Sequence, residues 1–276
     1  MSKGKIITFS IIGFIIVLNT ILFGAVFRLR KQNVVIGEDI TYTSKEIVDA
    51  AGLKNGKSIF LIDKDKAISN IEAKYADLKV VQIKTTSVTE IEIKVRKRYE
   101  TYYIKNLGNY YILDQDLKVL EIFTDEETEK VTQADSLVQI KTKLHGLDAE
   151  TKLADFIGNS HQQNMCYNLF AAVYTTQMPE KETGSAAHLK FASILEEISF
   201  DTGYTASGES YNRLIVKTKL GMKFDIGKAT NEMERKINLC FTAMNNEQIT
   251  DKTIGTITIA YDEQGKEIKT YSDGIE

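Results

Sequence analysis

Gly52, Gly56, Lys57 and Ser58 lie in GLKNGKS, one residue short of the phosphate-loop pattern G-x-x-x-x-G-K-[ST]. A working loop of that kind follows a strand and opens a helix, so that backbone amides and the helix dipole converge on an anion. Here a helical pattern precedes the glycines and the apolar stretch 59–62 follows, so the segment reads as a helix stop and a turn. His145, His161 and His188 are separated by 16 and 27 residues, and none stands in a spacing that puts two ligands on one helical face. Asp114 and Asp116 form a D-x-D pair without the glycine and distal glutamate of a calcium loop, which leaves a turn. Ser207 and Ser210 lie in SGES rather than a G-x-S-x-G elbow. Cys166 and Cys240, 74 residues apart among apolar neighbours, read as free core cysteines, although an exported location would permit a disulfide. Nothing here assigns a catalytic residue, a metal or a cofactor.

The elements that would carry such residues begin with a 22-residue uncharged run, residues 6–27. At about 1.5 Å per residue a helix of that length covers the roughly 30 Å hydrocarbon core of a bilayer. The run exceeds the h-region of a signal peptide and no small-x-small cleavage site follows it, so it reads as an uncleaved anchor. Lys3 and Lys5 precede it while Arg28, Arg30 and Lys31 follow, so charge does not orient it. The body that remains, residues 32–276, has 30 basic against 38 acidic residues, a net of about −8. That balance argues against nucleic acid, which needs a basic face.

Beyond a short apolar stretch at 33–36, Thr43 with Glu46 fits a capping box and Gly52 a C-terminal cap. Asp63 opens a second helix whose Ala67, Ile68, Ile71 and Tyr75 recur on one face. Val81 and Ile83 give a brief strand signal, and Ile91, Ile93 and Val95 alternate with charges in another. The order is β-α-α-β-β, with Ile47, Ile68, Ile71, Ile83, Ile91 and Ile93 as its core. Later segments read as strands at 101–104, 110–113 and 119–122, an acidic solvated loop at 124–130, and helices at 186–198 and 228–244.

The TSKEI helix, AGL, IFLID, a second amphipathic helix, VVQIK and TEIEIKVRKR together resemble a POTRA domain. Placed after a lone N-terminal apolar helix and followed by a β-rich region, this order is similar to the FtsQ/DivIB family of bacterial cell-division proteins. YYILDQD resembles the strand that closes on an aspartate, here Asp114, in that family's second domain. LIVKTKLGMKFDIG, a helix and GTITIAYDEQG resemble its closing hairpin, helix and terminal strands. The chain differs in reading Arg98, Tyr99 and Glu100 where the family has a proline, Leu117 where it often has glycine, and Thr258 where it often has aspartate.

The resemblance implies an α+β fold: a single transmembrane helix, then POTRA, then a mostly antiparallel β domain with packed helices. It divides the chain into residues 1–31 (cytoplasmic tail and membrane helix), 32–98 (POTRA), 99–265 (β domain) and 266–276 (terminal strand and tail). It further implies a single-pass cell-membrane protein of the division septum, cytoplasmic at its N-terminus and extracytoplasmic in its body. Its implied role is a non-enzymatic scaffold that binds FtsL- and FtsB/DivIC-type coiled-coil proteins and helps control septal peptidoglycan synthesis. The partner strand is expected along the terminal strands, at Tyr261, Asp262, Gly265, Ile268 and Tyr271. The alternative is a membrane-anchored extracellular enzyme, a wall hydrolase whose site leaves no local motif.

Overall fold

The computed structural model describes residues 3–21, 26–178, 180, 182–204, 208, 210–228, 232–261 and 267–273. The chain divides into two compact units, Met1–Arg98 and Tyr99–Glu276. In the first, α1 (Lys3–Ile21) occupies most of the apolar run, and its side chains from Ile11 to Ile21 are all exposed. Residues 22–25 of the run lie outside the described residues. The uncharged part of α1, residues 6–21, is only about 24 Å long at 1.5 Å per residue. No helix among the described residues is long and apolar enough to cross a membrane.

The rest of this unit follows its local signals. Strand β1 (Lys31–Ile36) leads to α2 (Ser44–Ala51), where the Thr43 side chain accepts from the Glu46 amide and Glu46 accepts from the Thr43 amide at 2.8 Å. Gly52 ends α2 in the left-handed conformation at φ +66°, which only glycine adopts without strain. Asp63 caps α3 (Lys64–Lys74) by accepting from the Lys66 amide at 2.9 Å. Strands β2 (Leu78–Ser87) and β3 (Glu90–Lys97) complete a sheet of order β1-β3-β2, β1 parallel and β2 antiparallel to β3. The second strand signal, expected at 81–83, is thus a ten-residue strand. Ile47, Ile71, Ile83, Ile91 and Ile93 are buried together, whereas Ile68 is only partly buried at their margin. Arg98, 3% exposed, pairs with Glu72 at 2.9 Å and donates to the Leu78 carbonyl, fastening the end of β3 to α3 and β2.

The second unit is built on a nine-stranded sheet among the described residues. Its strands are β4 (Tyr102–Asn106), β5 (Asn109–Leu113), β6 (Val119–Thr124), β7 (Val138–Ile140), β8 (Leu195–Tyr204), β9 (Ser210–Thr218), β10 (Lys223–Lys228), β11 (Thr256–Tyr261) and β12 (Glu267–Ser272). Their order is β12-β11-β10-β9-β8-β7-β4-β5-β6. Pairing is parallel at β4–β7, β7–β8 and β10–β11 and antiparallel elsewhere, so the sheet is mixed. One face buries Tyr102, Val138, Ile198, Val216, Phe224 and Ile257 against α5 (Ser160–Gln177), α6 (Gly184–Ile194) and α7 (Met233–Met244). On the opposite face Tyr103, Tyr110, Ile112 and Phe123 pack beneath α4 (Thr128–Ala134). The alternation of Tyr110, Tyr111 and Ile112 between the two clusters is the two-residue period of a strand.

Three expectations are corrected. The acidic loop at 124–130 gives way to helix at Thr128, because Ala134 is buried against the β4–β6 cluster with Val131 packed on it. The helix expected at 186–198 ends at Ile194, and Ile198 is a strand residue opposite Val216. The helix expected from 228 starts at Met233, since Lys228 closes β10; residues 229–231 lie outside the described residues. The Asp114 turn forms as expected: its Oδ1 accepts from the Asp116 and Lys118 amides at 2.8 and 2.9 Å. Leu117 sits in this turn at φ +61°, the conformation for which glycine is the ordinary choice, with its side chain fully buried. Cys166 and Cys240 are buried on α5 and α7 and form no disulfide with each other.

Candidate functional site

Among the described residues the second sheet ends at β12, which has β11 on one flank and no strand on the other. Six consecutive pairs hold it: Thr256↔Ser272, Ile257↔Tyr271, Thr258↔Thr270, Ile259↔Lys269, Ala260↔Ile268 and Tyr261↔Glu267. The register is unbroken, so β12 presents its outer backbone groups at the regular spacing an added strand requires. Of the expected contact residues, Tyr261 and Ile268 are placed by this register and Tyr271 is 42% exposed. Asp262 and Gly265, with the 263–265 turn, lie outside the described residues.

The register puts Lys269 and Tyr271 opposite Ile259 and Ile257, whose side chains enter the helix-covered core. On that side a cleft of about 350 Å³ opens between β12 and the end of α7, lined by Thr242, Asn246, Gln248, Ile249, Lys269 and Tyr271. Gly255 shapes it. At φ +105°, a Cβ there would stand 2.7 Å from both the Ser272 carbonyl oxygen and the Tyr271 ring, so a bare backbone is what lets that ring settle. The lining from α7 and the role of Gly255 were not legible in the sequence. Both arise from residues brought together by pairing of the terminal strands.

The sheet face turned away from α5 and α7 is polar between β8 and β11. Arg213 forks onto Asp225, donating from Nε to Oδ1 at 2.9 Å and from a terminal nitrogen to Oδ2; Lys217 pairs with Glu196 at 3.0 Å. These charges satisfy one another. The candidate nucleophiles and ligands are dispersed: His188 is buried with Nδ1 2.8 Å from Thr101 Oγ1 and its ring stacked on Phe170 at 4.5 Å. Burial pushes the Cys166 thiol well above its ordinary range, which disfavours the reactive thiolate. Among the described residues no group of three or more His, Cys, Asp or Glu could hold a metal ion. Ser207 lies outside the described residues, and the glycines of GLKNGKS serve as the α2 stop and a turn.

Residues 29–98 match the family model described as POTRA domain, FtsQ-type. No curated protein matches the chain.

Proposed function

We propose, from the FtsQ-type POTRA unit at residues 29–98, that this chain is a non-enzymatic scaffold of bacterial cell division, anchored in the membrane and carrying partners on its body. The POTRA match is the observation that carries the reading. Residues 6–27 are the anchor in this proposal, with the N-terminus cytoplasmic and the body extracytoplasmic at the septum. The unpaired surface of α1 supports it: Phe14 is 68% exposed and Ile16 60%, and a helix apolar all round asks for lipid rather than water. The partners are FtsL- and FtsB/DivIC-type coiled-coil proteins, and the assembly helps control septal peptidoglycan synthesis. No cofactor, nucleic acid or small-molecule substrate enters this role.

The docking site is the β12 edge, where a partner strand adds through backbone hydrogen bonds and Tyr271 with Tyr261 supplies aromatic anchors. The test is recovery of partners with the intact membrane protein from its own cells. Deleting residues 266–276 is expected to abolish recovery while the membrane level of the protein stays nearly unchanged. Recovery that survives the deletion moves the site off this edge. Protease added to spheroplasts is expected to digest the body, and complete protection until lysis reverses the orientation.

A further inference from the structure

The turn after α2 is tied to the chain at the place where the apolar run ends. The Ile59 amide donates to the Phe27 carbonyl at 2.8 Å, the Leu29 amide to Lys57 at 2.9 Å and the Gly56 amide to Leu29 at 2.8 Å. At the same end of the POTRA sheet, the Arg30 and Lys31 amides donate to the Thr89 carbonyl at 2.8 and 3.2 Å, which fixes the β2–β3 hairpin tip there. These bonds hold three large apolar side chains outward. In the 3₁₀ turn Ile59–Leu61, Ile59 is buried but Phe60 is 62% and Leu61 80% exposed, and Val88 at the hairpin tip is 51% exposed. Phe60 also packs on Phe27 with ring centroids 5.2 Å apart.

Charge marks the same place. Segments 26–31 and 53–62 carry Arg28, Arg30, Lys31, Lys54 and Lys57, all exposed, and no acidic residue; Asp63, Asp65 and Glu90 follow just outside them. Apolar residues projecting from a basic surround are what an anionic lipid surface accepts, the side chains entering the headgroup–acyl boundary by about 5–10 Å. Six residues of chain from Ile21 to Phe27 reach at most about 20 Å, so this surface cannot leave the vicinity of the α1 end.

We propose that the Ile59–Leu61 turn and the Val88 tip form a lipid-facing foot, with Phe60 and Leu61 in the membrane boundary and the five basic residues against anionic headgroups. This rests on the reading of residues 6–27 as a membrane anchor. The foot adds a second attachment beside the anchor and so fixes the tilt of the POTRA unit on the bilayer.

The chain has no tryptophan, so Phe60→Trp in the full-length protein is a single fluorescent reporter. Val81→Trp, on an exposed site about 20 Å along β2 from the hairpin tip, is the control. Both are reconstituted in phosphatidylcholine vesicles with and without phosphatidylglycerol, and alkaline carbonate extraction reports the anchor separately. The expected result is blue-shifted emission and quenching by shallow brominated lipid at position 60, stronger with phosphatidylglycerol, and neither at position 81. Retention in carbonate without quenching at position 60 overturns the foot and leaves the anchor standing. Quenching at position 60 with release into carbonate overturns the anchor and, with it, the foot as a second attachment, leaving the turn as a peripheral lipid contact; release without quenching overturns both. Shielding of position 60 in native membranes but not in pure lipid also overturns the foot, because a protein would then be its occupant.

Discussion

Strands β2 and β12 both lie at a sheet edge, yet they are built differently. The register of β2 against β3 shifts between Val80 and Gln82 and again between Thr85 and Ser87, leaving Val81 and Thr86 out of step. β12 runs six pairs against β11 without a shift. A bulge twists an edge and breaks the alternation of its outward N–H and C=O groups, a common device against strand addition. The POTRA unit therefore carries a blunted edge on β2, while the second unit keeps an edge able to template another strand. An uninterrupted register separates β12 from β2, and the other POTRA edge, β1, shares it with six unshifted pairs against β3.

The largest effect should come from proline at the two edges. Ile268→Pro in β12 removes a ladder donor and is expected to abolish partner recovery, whereas Thr86→Pro, at a bulged position of β2, is expected to leave it intact. Loss with Thr86→Pro alone would transfer the docking role to the POTRA edge. Next in size is core truncation behind the blunted edge. Ile91 is fully buried in the central POTRA strand, so Ile91→Ala should cost about 2–5 kcal/mol in denaturant unfolding of that unit, and partly buried Ile68→Ala about 1–2. Equal and small changes at both sites would deny that the POTRA core is where the burial pattern puts it.

Gly255→Ala sharpens the comparison from the other side. Forcing a Cβ against the Ser272 carbonyl at a positive φ should cost about 1–3 kcal/mol and speed amide exchange in β12, with β2 unaffected. The smallest effect is a pH dependence of the POTRA unit. Burial, then hydrogen bonding to the Asp77 carboxylate at 3.0 Å, pushes the Tyr42 hydroxyl up to about 12. The folded state holds that proton more tightly than an unfolded chain, whose tyrosines titrate near 10. Its contribution is thus complete below about pH 10 and is lost as pH rises towards 12. Tyr42→Phe should flatten the POTRA unfolding curve over that range; an unchanged slope would place the titration elsewhere.

Legibility in the sequence followed the range of the interactions. Caps are local chemistry, and Thr43 with Glu46, Gly52 and Asp63 could be read directly because the partner lies three or four residues away. The same signal was present and unread at Asn159, whose side chain accepts from the Gln162 amide while Gln162 accepts from the Asn159 amide to open α5. Leu195 and Ile198 stand three apart, a spacing that also suits a helical face. Their strand identity comes from β9 and β7, which no local window contains. Strand order is still more remote. Tyr271 could be named as an exposed aromatic of a terminal strand, but the cleft beside it depends on α7, and the registers of β2 and β12 depend on their neighbours.

Strand β7 is three residues long and, among the described residues, joins β8 to β4 with two registered pairs on each side. The ladders of the sheet are therefore uneven in length. A pull applied at β12 passes the three pairs of β10–β11 and the longer ladders of β9 to reach β8, and within the sheet it then crosses those few bonds to β4, β5 and β6. Val138–Ile140 is thus one of two narrow joints in the plate, beside the three-pair β10–β11 seam, and a clamp placed there would stiffen the body without altering either edge.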